Sequence, residues 1–260
     1  YLSETIGPRP AGTPKEFAAA QYVRRCFAEL GMRVHLQPFT FLNWLPLEPP
    51  VLEIIEPEPM NITLSPMNYT LASPSCGVYG TVRKAVGKMV LVPNYKECEK
   101  YIISDAGRDV GYFLKNPSGD ASPFPTSRPM LPEVGAVMSC ADAERIDAWL
   151  ISGKTVRVRL FNACVLAPAE SYNVVAELGY GDPVLVITAH YDSVVYAPGA
   201  VDNASGVQVL LELAAEYRGR SGLPAITFVA TGCEEPGLLG AYHYVYNLGE
   251  CGRMGKLRGC

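Results

Sequence analysis

What the chain lacks narrows the reading first. No apolar run approaches the ~20 residues that a membrane-crossing helix needs, so no helical membrane span is offered. There is no basic stripe: 22 Lys and Arg stand against 26 Asp and Glu, for a net charge of −4 and a pI near 5.5. That balance argues against a nucleic-acid partner. The eight cysteines, at 26, 76, 98, 140, 164, 233, 251 and 260, include no CxxC pair. Zinc knuckles and dithiol redox motifs are thereby unsupported. A chain this long does not need a disulfide framework, and the cysteines read as scattered small hydrophobes. Histidine is scarce, with three residues at 35, 190 and 243. No internal repeat and no leader segment is visible, although the chain begins at Tyr1 rather than Met.

What is present is a large apolar fraction, 48% of 260 residues, enough for one large domain or two ordinary ones. The chain is organised around Pro183–Gly206 and Ala225–Gly240. PVLVITAH, Pro183–His190, is an unbroken apolar run rich in β-branched residues, as in a strand covered on both faces of a parallel sheet. It ends at His190-Tyr191-Asp192-Ser193, so the site falls at the carboxyl edge of a sheet. His190 and Asp192 share a face in extended chain. GAVDNASG, Gly199–Gly206, then leads into a helical pattern with Val207, Leu210, Leu211 and Ala214 on one side. Asp202 precedes a helix N-terminus, which favours its ionised form.

The pattern repeats. AITFVA, Ala225–Ala230, reads as a second buried strand, and Glu234-Glu235-Pro236-Gly237 turns into a helix from Leu238 to Tyr246. Parallel strands joined by a helix lie side by side, which brings their carboxyl ends together. One imidazole and four carboxylates (His190, Asp192, Asp202, Glu234 and Glu235) then share one region. So many carboxylates repel unless some are protonated or a divalent cation sits among them. Imidazole with carboxylate oxygen suits zinc, and a carboxylate free of the metal can serve as a base, which points to metal-assisted hydrolysis. Singly, each residue has an ordinary reading: a strand-end histidine, a helix cap, a solvated first turn. Three separate turns presenting matching donors together are not an ordinary coincidence.

HYDS at His190–Ser193, GAVDNASG at Gly199–Gly206 and EEPGLLG at Glu234–Gly240 resemble the metal-binding signatures of the di-zinc aminopeptidases and glutamate carboxypeptidases. The resemblance implies a zinc-exopeptidase-like α/β fold with a mixed, largely parallel central sheet flanked by helices. It implies two zinc ions, a peptide substrate, and removal of an N-terminal residue. By resemblance, His190 is a ligand of one zinc, Glu235 of the other, and Asp202 bridges both. Asp192 holds His190 from behind, and Glu234 is the general base that takes a proton from the bridging water. The same resemblance calls for one more protein ligand on each zinc, an acidic residue and a distant histidine. His243 reads as structural, so these 260 residues are expected to be part of a longer chain and to turn over little alone. A carboxypeptidase-type amide hydrolase and a non-catalytic binding protein on the same scaffold are the alternatives. The intact Asp192 and Glu234 argue against the second.

Around this centre, Gly7–Gly12 reads as a loop, and Thr13-Pro14-Lys15-Glu16 as a capping box opening a helix that Gly31 closes. A strand follows at Met32–Gln37, with His35 on its polar face. The GPRPAGT segment before that helix also resembles the start of the aminopeptidase domain. Composition shifts at Phe41, and prolines crowd residues 45–66. Short strands are expected at Val51–Glu56, Asn61–Ser65, Gly77–Val82, Lys88–Val92, Val110–Lys115, Val134–Ser139 and Lys154–Phe161. Helices are expected at Tyr95–Asp105 and Ala141–Ser152, and Asn116–Pro132 reads as a long loop. Ser171–Leu178 returns to the main sheet beside the opening strand. Residues 1–41 and 166–260 thus read as the metallopeptidase domain. Residues 42–165 read as an inserted, mainly β domain that resembles a protease-associated domain, with a lid or a spacer as its role. Sequons stand at Asn61-Ile62-Thr63 and Asn68-Tyr69-Thr70. The compartment stays open, with a secreted or extracytoplasmic one favoured, and so does the oligomeric state.

Overall fold

The computed structural model describes residues 1–91, 96–116, 133–180, 185–195, 197–220 and 222–252. The chain divides into two compact units, Tyr1–Asn43 with Pro168–Cys260, and Trp44–Ala167.

In the first unit, α1 (Pro14–Glu29) starts where Thr13 accepts a hydrogen bond from the Glu16 amide, with Pro14 at the first position. A sheet of order β1-β10-β12-β11 follows, from β1 (Arg33–Pro46), β10 (Cys164–Leu178), β11 (Leu185–His190) and β12 (Ile226–Thr231). β11 and β12 run parallel with His190 opposite Thr231, and β12 pairs with β10 antiparallel. The sheet is therefore mixed. All six residues of β12 are buried. Alternation along the strands sorts them: Val174, Ala176, Phe228 and Ala230 pack with α1 and α3 (Ser205–Arg218). Val175, Val186 and Val229 pack with Tyr244 and Leu248 of α4 (Leu239–Glu250). Helices cover both faces of β12, which is why it carries no polar alternation, whereas β11, at the edge of the described sheet, leaves Thr188 exposed. Each fully buried Val, Leu or Phe contributes about 1.5–3 kcal/mol to that arrangement.

The second unit holds an eight-stranded sheet of order β3-β2-β9-β5-β6-β7-β8-β4. Its strands are β2 (Val51–Glu56), β3 (Met60–Thr63), β4 (Ser65–Pro66), β5 (Val78–Leu91), β6 (Lys96–Asp105), β7 (Arg108–Lys115), β8 (Val134–Met138) and β9 (Arg157–Phe161). α2 (Cys140–Ile151) lays Ala143, Ile146 and Trp149 on a core with Leu52, Tyr101 and Phe113.

Several sequence expectations need correction. The helix expected at Tyr95–Asp105 is strand β6 from Lys96 onward, paired on both sides with β5 and β7; Tyr95 lies outside the described residues. Charges at Glu97, Glu99 and Lys100 imitate a helical surface, but Tyr101 and Ile103, both fully buried, carry the period of two. The strands expected at Gly77–Val82 and Lys88–Val92 fall on one strand, β5, from Val78 to Leu91, whose pairing with β6 shifts register between Lys84 and Lys88; Val92 lies outside the described residues. Proline did not stop β1, which runs on to Pro46, and β10 begins at Cys164, well before Ser171. The loop expected at Asn116–Pro132 lies outside the described residues beyond Asn116, as do Pro183 and Val184 of the central run. No disulfide joins the seven cysteines among the described residues. His35 is exposed, and His243 is half-buried, stacked on Phe39 at 5.0 Å.

Candidate metal centre

β11 and β12 end side by side, and the turns that leave them are stitched together. The Tyr191 amide donates to Thr231 O at 3.0 Å, continuing the ladder. Asp192, fully buried, then accepts the amides of Glu234 at 3.0 Å and Glu235 at 3.1 Å. One carboxylate thus fixes the first turn after the neighbouring strand by capping two otherwise orphaned N–H groups. Gly240 allows this turn to close against its own strand: a Cβ there would lie 2.1 Å from Gly232 O and 2.6 Å from Asn173 Oδ1. Asn173 holds both sides, donating to Gly240 O at 2.8 Å and accepting from the Gly232 amide at 3.3 Å.

The imidazole sits between acids. His190 Nε2 is 2.9 Å from Asp202 Oδ1 and 3.7 Å from Glu234 Oε2. His190 Nδ1 faces Asp192 Oδ1 at 3.5 Å, too far for a good hydrogen bond, and is a buried nitrogen without one. Donor atoms of His190, Glu234 and Glu235 all lie within 4.8 Å of one another. Asp202 joins them through the imidazole, from the wide turn Ala200–Ala204 before α3; its side chain is 76% exposed and its peptide bond to Asn203 is cis. The structure therefore brings together all five residues singled out in the sequence.

Electrostatics show how crowded the acids are. Burial raises the pKa of Glu235 to about 8, with the charges of Asp192 and Asp202 adding to it and His190 opposing. Burial raises Glu234 as well, opposed by His190 and reinforced by Asp192 and Asp202. For His190, burial works to lower the pKa, but Asp192, Glu234 and Glu235 prevail and push it up to about 9. A divalent cation relieves this repulsion by replacing protons. The clustered oxygens and imidazole, with a buried nitrogen turned toward a carboxylate behind it, fit such an ion. Cys233, beside the site, is buried, and burial with Asp192 pushes its thiol well up, so it is inert packing rather than a nucleophile.

Two further residues belong to this region and were not recognised as such from the sequence. Glu16, read as half of a capping box, is buried; its carboxylate accepts from the Gly12 amide at 2.7 Å, Ser171 Oγ at 2.5 Å and the Cys233 amide at 3.2 Å. Burial, then Asp192, raises its pKa to about 8. Arg9 is likewise buried, with its guanidinium on the loop after β11. The only signal available was a charge of each sign inside an otherwise Gly- and Pro-rich opening.

The fold and its site define an α/β protein with a candidate metal centre at the ends of two parallel strands. Residues 173–253 match the model of peptidase family M28. An aminopeptidase of Pseudomonas aeruginosa is 26% identical over 273 residues, covering 93% of this chain and 51% of its own length. Aminopeptidase YwaD of Bacillus subtilis is 49% identical over 67 residues, 26% of this chain and 15% of that protein. A zinc aminopeptidase structure from Bacillus subtilis superposes with a TM-score of 0.71 at 25% identity, covering 95% of this chain and 63% of the other. The chain thus spans about half the length of the Pseudomonas relative it matches along most of its own.

Proposed function

We propose that this chain belongs to a zinc-dependent exopeptidase, an aminopeptidase acting on the N-terminal bond of a peptide. The observation that carries this is the convergence of His190, Glu234 and Glu235 within 4.8 Å, inside the segment that matches the M28 family. The kinship with aminopeptidases, one of them a zinc enzyme, supports the choice of reaction and metal. In this reading His190, Asp202 and Glu235 would hold two zinc ions, with Asp202 shared between them. Bound zinc supplies a Lewis acid that polarises the scissile carbonyl and lowers the pKa of water. Asp192 orients the imidazole and anchors the turn that carries Glu234. Glu234 accepts the proton of the attacking water at its carboxylate and returns it to the departing amine. Its raised pKa, set first by burial, suits a group that must hold that proton between the two steps. In the same reading residues 42–165 are a protease-associated-like insert that serves as a lid or spacer.

The test uses the whole protein and an aminoacyl-nitroanilide. Turnover is expected to vanish on chelation and return with zinc. Glu234→Gln is expected to keep the metal and to lower kcat by about 100- to 10,000-fold. Wild-type protein without bound zinc, or undiminished turnover by Glu234→Gln, overturns the reading. The donors named here leave each zinc with two protein ligands, so residues 1–260 by themselves are expected to show little turnover; zinc-dependent activity of that segment contradicts this part.

A further inference from the structure

Arg9 lies in the Gly7–Gly12 segment, yet its side chain is fully buried. Buried arginines are usually matched to carboxylates. This guanidinium gives its hydrogen bonds to main-chain carbonyls: Nε to Tyr191 O, Nη1 to Pro198 O at 2.6 Å and to Gly7 O at 3.3 Å, and Nη2 to Gly199 O at 2.9 Å. Its own backbone adds two more. The Arg9 amide donates to Ser193 Oγ at 3.0 Å, and Arg9 O accepts from the Ser193 amide at 3.3 Å.

These contacts reach both ends of one loop. Tyr191 adjoins His190, while Pro198 and Gly199 lead directly into the Ala200–Ala204 turn that bears Asp202. Gly199 makes the approach possible. Its φ is +56°, and a Cβ there would lie 2.5 Å from Asp202 O and 3.1 Å from Arg9 Nη2. A planar fork of five N–H donors can hold several carbonyls at fixed spacing, which a single ammonium cannot.

We propose that Arg9 is a positioning residue for the metal centre: it clamps the two ends of the loop between His190 and Asp202. The inference rests on the metal reading given above.

The test measures zinc affinity of the whole protein by competition with a chromophoric chelator, for wild type, Arg9→Lys and Arg9→Met. Melting of the metal-free and zinc-loaded forms is followed in parallel. Arg9→Met is expected to weaken zinc binding by about 10- to 100-fold. Arg9→Lys, whose ammonium can keep some of the carbonyl contacts but not the fork, is expected to recover part of that loss, and the zinc-induced rise in Tm should shrink in the same order. Equal affinities in all three proteins, with melting lowered alike in both forms, make Arg9 a folding residue only and overturn the proposal. Should Arg9→Met fail to fold, Arg9→Lys decides by the same criterion. Wild-type protein that binds no zinc overturns the metal reading and the clamp together, whereas wild-type binding with unchanged variants overturns the clamp alone.

Discussion

Glu99 and Asp147, in Trp44–Ala167, share the Lys84 ammonium at 2.9 Å each, whereas Asp192, Asp202, Glu234 and Glu235 in the other unit gather around one imidazole. The contrast extends beyond those residues. Arg157 meets Glu56 at 2.9 Å, Arg159 meets Glu53 at 3.4 Å and Lys100 meets Glu133 at 3.2 Å. Among the described residues, no lysine or arginine forms an ion pair with the four acids near His190. The acids answer in opposite directions. The Lys84 hydrogen bond lowers the pKa of Glu99 against the effect of burial, while burial and like charge raise Glu235 to about 8. Paired acids on a sheet surface are satisfied as they stand. Clustered acids at strand ends keep a demand for positive charge, and that demand is the physical mark of the site.

The largest expected effect breaks the comparison at its centre. His190→Ala removes the one nitrogen donor of the cluster and is expected to weaken zinc binding by more than about 100-fold, beyond what loss of a supporting residue costs. Glu99→Gln, which removes an acid from the paired group, is expected to leave zinc affinity unchanged. Chelator competition on both variants decides it, and equal losses would show that the two acid groups do not differ in kind.

A smaller effect appears in the pH dependence of the metal-free protein. Glu16 and Glu235 rise from 4.5 to about 8, and His190 from 6.5 to about 9. In those windows the folded state binds more protons than the unfolded one, so stability falls as pH rises. For His190 the stabilising share is complete below about 6.5 and is lost through about 9. For the two glutamates the penalty grows between about 4.5 and about 8. Glu99 has the opposite sign: its lowered pKa gives stability that is lost only as pH falls toward the acid range. Melting of the metal-free protein from pH 5 to 9 is expected to show Tm declining. Glu16→Gln should flatten the decline, and zinc should stabilise more strongly at the alkaline end. A Tm that climbs with pH in the metal-free protein contradicts these assignments.

The smallest effect belongs to the paired surface. Arg157→Gln removes an exposed ion pair with Glu56 and is expected to cost about 0.2–1 kcal/mol. That amounts to at most a few degrees in Tm, with zinc affinity untouched. A larger loss would mean that the paired acids carry more of the fold than their exposure suggests.

The central motifs were legible because their signals are local. An apolar β-branched run, a break at His190, and acids just before a helical period all lie within a few residues of each other, and the parallel pairing of β11 and β12 does the rest. Strand β6 was not legible, because its charged residues suit a helix surface equally well and only pairing with β5 and β7 chooses between them. Arg9 and Glu16 were not legible either. Their partners at Tyr191, Pro198, Gly199 and Cys233 lie 182 to 217 residues away, and contacts at that separation leave no period and no spacing to read.

By itself, then, the amino-acid order determined that the two central apolar runs are strands and that His190, Asp192, Asp202, Glu234 and Glu235 stand in the turns at their ends, since hydrophobic periodicity and turn chemistry act over a handful of residues. Only the tertiary structure decided how those ends are held. Asp192 capping the amides of Glu234 and Glu235, Arg9 spanning the loop from Tyr191 to Gly199, and Glu16 reaching the Cys233 amide all arise because burial forces polar groups to find partners wherever the folded chain brings them.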